Sequence, residues 1–198
     1  DDSAVELEAS DALSPVAGIW YALSPEYAVT TYSVPVTCTA TGITTVLYGA
    51  VDTAGNREPT RTAYVKIDRT LPSSAASMPT GWVAPPAVVS LSATDTLSTL
   101  DKIRYRCDEG SWKTYSTSLV LTGDHPSTVE YYATDKAGNR EDTRSATVLL
   151  DGVMPTVAIS APDVWVQSPA SVGFSASDDL SGLDGVRVVL DGSPEQSA

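Results

Sequence analysis

Apolar residues along this chain alternate with polar ones over short stretches and never settle into helical spacing. Between residues 69 and 152, the segments 88–93 and 103–107 carry the period-two pattern of a strand with one buried face. Segments 111–115, 118–121, 128–134 and 145–150 continue it. They are separated by Asp108-Glu109-Gly110, by Gly123-Asp124-His125-Pro126, and by Asp135-Lys136-Ala137-Gly138-Asn139, all turn-forming strings. A first strand around residues 76–82 brings the total to about seven, the count of a β-sandwich. No window of about eleven residues holds a 3.6 period, so the expected fold is all-β with almost no helix.

The same pattern occurs more than once. Asp52-Thr53-Ala54-Gly55-Asn56-Arg57-Glu58 returns as Asp135-Lys136-Ala137-Gly138-Asn139-Arg140-Glu141, 83 residues on. Lys66-Ile67-Asp68-Arg69-Thr70-Leu71-Pro72 aligns at the same offset with Leu149-Leu150-Asp151-Gly152-Val153-Met154-Pro155, and Gly81-Trp82-Val83 with Val164-Trp165-Val166. A third signature appears three times, at residues 9–14, 93–98 and 176–181, with offsets of 84 and 83. One residue was therefore gained or lost in a loop between the first two copies. The expected organisation is three repeats of about 83 residues. Residues 1–68 form a copy without its first strand, 69–152 a complete copy, and 153–198 the first half of a third. Half a sandwich leaves open edges, so the chain reads as part of a longer tandem array. The alternative is that the opening strand of copy three in one molecule fills the vacancy in copy one of another.

Composition narrows the chemistry. With 24 Ser and 23 Thr in 198 residues, and Phe only once, the chain favours strands and turns over helix bundles. The net charge of −13 provides no footprint for phosphate backbones and excludes nucleic acid as a partner. No apolar run of about 18 residues is present, so insertion of a helix into a membrane is not expected.

The string Trp82, Val89-Ser90-Leu91-Ser92-Ala93-Thr94-Asp95, Ile103-Arg104-Tyr105-Arg106 and Gly110-Ser111-Trp112, with Val129-Glu130-Tyr131-Tyr132-Ala133-Thr134-Asp135 and its Ala-Gly-Asn turn, resembles tandem bacterial Ig-like (fibronectin-III-like) repeats. The resemblance implies a secreted or cell-surface location and neighbouring Ig-like domains in a longer chain. It also implies a non-catalytic structural spacer or stalk, with an adhesion or carbohydrate-binding module, facing a glycan or host-surface ligand, as the alternative. The first copy departs from the pattern between Ser24 and Val36, where the Gly-x-Trp turn is missing.

The candidate sites are few. Asn occurs only at Asn56 and Asn139. In Asp52, Gly55, Asn56 and in Asp135, Gly138, Asn139 the residue types suit a hairpin turn: Gly for positive φ, Asp to bond the turn amides, Asn for left-handed geometry. In an Ig-like sandwich the same pole gathers Asp68, Asp95 and Asp135 at the first junction. At the second, Asp151, Asp178, Asp179 and Asp184 should approach one another. Oxygen-rich junctions suit calcium, but Asp is also the commonest turn residue, so no cofactor is expected and calcium stands as the alternative. His125 reads as a turn residue, and Cys38 and Cys107 as buried free thiols in separate copies. Trp82, Trp165, Tyr21, Tyr48, Tyr105 and Tyr131 recur and read as packing. Trp20, Trp112, Tyr115 and Tyr132 do not recur; an exposed face shared by the last three would suit sugar stacking. No HExxH, Gly-x-Ser-x-Gly, phosphate-binding glycine loop or CxxC pair is present. Catalysis is not expected.

Overall fold

A computed structural model describes residues 4–189 and a strand at 196–197. The described residues contain strands and turns and no helix. The chain is all-β, and its contacts divide it into two compact units.

The first unit comprises Asp1–Pro72 with Asp95–Leu100 and Thr134–Arg140. Its strands are β1 (Ala4–Val5), β2 (Val16–Leu23), β3 (Thr30–Thr31), β4 (Val36–Thr37), β5 (Gly42–Asp52) and β6 (Arg61–Ile67). Four of them form an antiparallel sheet ordered β3-β2-β5-β6, and β1 pairs with β4. Ala22, Val36, Cys38 and Val46 are its buried apolar side chains. Outside that core, Trp20 lies opposite Gly49 across β2 and β5, and a Cβ at Gly49 would fall 2.9 Å from the indole.

The second unit comprises Ser73–Thr94, Asp101–Ala133 and Glu141–Ala198. It carries β7 (Ser73–Ser77), β8 (Trp82–Val83), β9 (Ala87–Thr94), β10 (Leu100–Cys107) from its second residue on, β11 (Lys113–Thr114), β12 (Leu119–Leu121), β13 (Ser127–Asp135) as far as Ala133, and β14 (Arg144–Leu150). Strands β15 (Thr156–Ser160), β16 (Gly173–Ser177), β17 (Arg187–Val188) and β18 (Gln196–Ser197) follow. Five strands, ordered β11-β10-β13-β14-β8, form one sheet of a sandwich, and β12-β9-β7 form the other. Ile103, Val129, Tyr131, Ala133, Val148 and Leu150 from the first sheet and Val89, Leu91 and Leu119 from the second are buried. Each large aliphatic side chain buried in this way stabilises the sandwich by roughly 1.5–3 kcal/mol.

The sequence expectation of one opening strand around residues 76–82 is corrected. The pairing ends at Ser77, and after four intervening residues the chain re-enters as β8 in the opposite sheet, parallel to β14. Pro79 supplies no N–H for a ladder, and Gly81 sits at φ +77, so the strand breaks there and its halves serve different sheets.

Strand registers recur along the chain. Val5 faces Val36 as Val89 faces Leu119. Trp20 faces Thr31 as Arg104 faces Thr114. Thr45 faces Tyr64 as Thr128 faces Thr147, and Ser73 faces Thr94 as Thr156 faces Ser177. The change of offset from 84 to 83 falls between Leu23 and Thr30. That loop has lost the Gly-x-Trp turn yet still delivers β3 to the register held by β11.

Candidate functional site

The Asp-x-Ala-Gly-Asn turns are built identically. Asp52 and Asp135 each donate their backbone N–H to the carbonyl four residues on, at 3.1 Å, and accept the N–H of the glycine, at 3.2 and 3.3 Å. Gly55 and Gly138 take φ +90 and +93, conformations closed to most side chains. Each aspartate Oδ1 accepts the asparagine N–H at 2.8 Å, and each Oδ2 accepts the asparagine Nδ2–H, at 2.7 and 2.8 Å. The asparagines do not take left-handed geometry, as the sequence suggested; they serve through their side-chain amides. Asn139 Nδ2 also donates to the Asp68 carbonyl at 3.0 Å, which fastens the turn to the linker.

The linker aspartates form a second recurring device. Asp68 Oδ1 accepts the N–H of Thr70 at 2.8 Å and its hydroxyl as well, while Oδ2 accepts the N–H of Ser98 at 2.8 Å. Asp151 Oδ1 accepts the N–H of Val153 at 2.9 Å, and Oδ2 that of Ser181 at 3.0 Å. Each carboxylate thus pins its own linker with one oxygen and, with the other, a serine 30 residues downstream. The Thr70 hydroxyl and Ser98 hold the Asp68 carboxyl at a pKa of about 2, and Ser14 with Asn56 does the same for Asp52. Ser181 lowers Asp151 in the same direction.

A third set caps the loops that carry those serines. Asp11 Oδ1 accepts the N–H groups of Leu13 and Ser14, Asp95 Oδ2 those of Leu97 and Thr99, and Asp178 Oδ1 those of Leu180 and Gly182. Ser14, Ser98 and Ser181 were the residues the sequence reading passed over. The signal was present, because all three stand three places after the aspartate of the thrice-repeated signature.

Asp68, Asp95 and Asp135 meet: one carboxylate oxygen from each lies within 4.8 Å of the others. Asp135 is almost wholly buried, and Asp68 and Asp95 are half-buried. Three oxygens at this spacing could hold a hard cation, although most are already committed to amides. Asp95 Oδ1 is the exception, buried and without a hydrogen-bond partner. Among the described residues no other trio of His, Cys, Asp or Glu comes this close, so Asp151, Asp178, Asp179 and Asp184 do not form one.

The remaining candidates have plainer roles. His125 is exposed, and its Nδ1 lies 2.6 Å from Asp124 Oδ1. Cys38 is a buried free thiol, whereas Cys107 is only half-buried, which corrects the expectation for that residue. Burial still pushes the Cys107 thiol up, with the Asp108 charge adding to it. Of the recurring tryptophans expected in core or edge packing, Trp82 is 40% exposed on the edge strand β8, whereas Trp165 is fully exposed. Trp112 and Tyr132 share the outer face of the five-stranded sheet, edge to face at 4.8 Å, with the Arg106 guanidinium 5.0 Å above the indole and bound to Glu130. Tyr115 instead meets Tyr105, on the strand face that also carries buried Ile103. The three aromatics therefore do not form one platform.

No protein-family model and no curated protein matches this chain. Among solved structures, one described as fibronectin(III)-like modules of Clostridium thermocellum CbhA is similar, with 14% identity and a TM-score of 0.37, over 72% of this chain and 82% of that one. No helix among the described residues is long and apolar enough to cross a membrane.

Proposed function

We propose that the chain is a non-catalytic spacer, built of tandem Ig-like sandwiches of about 83 residues and belonging to a longer secreted or cell-surface protein. The observation that carries this reading is the linker clamp. Asp68 with Ser98, and Asp151 with Ser181, make the same pair of bonds 83 residues apart. A catalytic constellation is needed once, at one geometry; a device repeated at each linker suits a chain that must hold its modules in series. The acidic residues that stand out in the sequence are engaged in this structural work.

Single-molecule stretching of the full chain tests the reading. A cooperative unfolding event should release the middle repeat as one block of roughly 28–30 nm, the extended length of such a segment. Gradual extension without that step would overturn it. The adhesion reading is weaker because Arg106 covers the Trp112 ring and Tyr115 lies elsewhere, so Trp112, Tyr115 and Tyr132 share no open stacking face. A glycan array should accordingly show no bound sugar.

A further inference from the structure

We infer that the four-stranded sheet of the first unit carries a docking groove for an aromatic side chain of a partner protein. The groove lies where β2 and β5 pair around a β-bulge between Val16 and Gly18. It is an open depression of about 460 Å³, lined by Gly18, Trp20, Val29, Thr31, Val51 and Arg57, among others. Gly18 faces Val51 and Trp20 faces Gly49, so these four positions stand on one side of the sheet. The Trp20 indole lies directly against the Gly49 backbone, where an added Cβ would fall 2.9 Å from the ring. Two glycines therefore leave the floor without side chains.

The second unit fills the corresponding place from its own sequence. In the repeat alignment Tyr132 stands at the position of Gly49 and Trp112 at that of Val29, while Arg106 and Glu130 stand at those of Ala22 and Leu47. The Trp112 and Tyr132 rings meet edge to face at 4.8 Å, with the Arg106 guanidinium 5.0 Å from the indole centroid. Arg104 Nη2 donates to the Trp112 carbonyl at 3.0 Å and holds the group in place. Tryptophan, second ring and guanidinium make one closed cluster there. In the first unit the tryptophan is Trp20 and the guanidinium is that of Arg57, but Val29 and Gly49 put no second ring beside them. Trp20 is half-buried, Val29 is 72% exposed, and Arg57 is exposed and enters no ion pair among the described residues.

The occupant is the ring of a tyrosine or tryptophan on a surface segment of the partner, its edge against Trp20 and its face toward the Arg57 guanidinium. Aromatic anchors of this kind carry much of the binding at protein interfaces. A sugar is a poorer fit, because among the lining side chains only Thr31, Arg57 and the indole N–H are polar, too few to satisfy a ring of hydroxyls. The segment that bears the anchor is uncharged or basic, since a chain of net charge −13 repels an acidic one.

A short capped peptide with tyrosine at its centre and glycine elsewhere, titrated into the full chain, is the probe, and the same peptide with leucine is its control. Magnetic-resonance shifts of amides and of the Trp20 indole should be confined to residues 17–20, 29–31, 49–51 and 57. The tyrosine peptide should bind about tenfold more tightly than the leucine one, the worth of the ring contacts. Val29→Trp installs the residue of the second unit and should fill the groove and abolish the shifts. Arg57→Gln should weaken the tyrosine peptide several-fold and leave the leucine peptide unchanged. Both positions are exposed, so both variants should melt as the parent does. No shifts at these residues, equal binding of the two peptides, or binding indifferent to both variants would overturn the inference. Tighter binding of a methyl glucoside than of the tyrosine peptide would assign the groove to a sugar and overturn it equally. The spacer reading stands or falls by its own stretching test, whichever result is found.

Discussion

Glu141 holds Ser74 from 67 residues away, its Oε2 accepting the Ser74 N–H at 3.1 Å. The other oxygen accepts the N–H of Ala133 at 2.8 Å, and Arg144 Nε lies 3.0 Å from Oε2. Ser74 belongs to the three-stranded sheet and Ala133 to the five-stranded one, so a single carboxylate ties the two sheets together. A carboxylate only 6% exposed is tolerable because both of its oxygens are filled and a guanidinium neutralises it.

Replacing Glu141 should therefore cost more than an ordinary surface change. Glu141→Ala strands two buried N–H groups, and the sandwich should lose about 2–4 kcal/mol. Glu141→Gln keeps one accepting oxygen and should lose about half of that. Urea unfolding followed by tryptophan fluorescence measures both variants, and an unmoved midpoint in Glu141→Ala would show that the tie is dispensable.

The turn glycines are a separate test of backbone strain. A Cβ at Gly138 would meet nothing within 4 Å, so the whole cost of Gly138→Ala comes from φ +93. That cost should be about 1 kcal/mol or more. Gly55→Ala should behave alike at φ +90, and Gly138→Asn should lose less, because Asn enters positive φ more readily. Equal stability of Gly138→Ala and the parent would mean the turn relaxes into another geometry.

These two residues also show what the sequence discloses and what it hides. Gly138 is legible, since a glycine inside Asp-x-Ala-Gly-Asn between two alternating runs announces a turn with positive φ. Glu141 is silent, because its partners are amides brought to it by the closed sandwich, and no local spacing encodes them. The split of the opening strand was hidden in the same way: Pro79 and Gly81 mark a break, but only packing decides that the chain resumes on the other sheet. The meeting of Asp68, Asp95 and Asp135 was readable from topology. The serines that bind the linker carboxylates were readable from the repeat, had the three-residue spacing been followed.

Acid should loosen the turn and the linker together. Asp52 and Asp68 have folded pKa values of about 2, against an ordinary 3.8, through hydrogen bonds from Ser14 and Thr70. A depressed carboxyl pKa means that the folded state holds its protons less tightly than the unfolded chain does. The associated stability is complete above about pH 4 and drains away as pH falls toward 2. Thermal midpoints measured between pH 6 and pH 2 should be flat at first and then fall. Ser14→Ala and Thr70→Val should each start lower and show a shallower fall, since they remove the bonds that depress the two groups. A variant with the parent's full acid slope would show that other carboxylates are responsible.

Asp95 is the residue whose replacement separates two accounts of the carboxylate trio. Its Oδ2 accepts the N–H groups of Leu97 and Thr99, both at 3.0 Å, while its Oδ1 is buried without a partner. Asp95→Asn leaves an oxygen to accept the two amides and puts an amide N–H₂ in place of the unpartnered oxygen, close to the carboxylates of Asp68 and Asp135. If turn amides alone satisfy the cluster, removing one of three like charges relieves repulsion. The variant should then melt at the parent's temperature or a few degrees above it. Neither protein should respond to calcium or to chelator. If a cation bridges the three carboxylates, the parent should gain several degrees with calcium, in proportion to ln(1 + [L]/Kd), and Asp95→Asn should lose that gain and melt lower. The amides already bound by Asp68, Asp95 and Asp135 favour the first outcome, and paired melting curves of the two proteins, with calcium and with chelator, distinguish them.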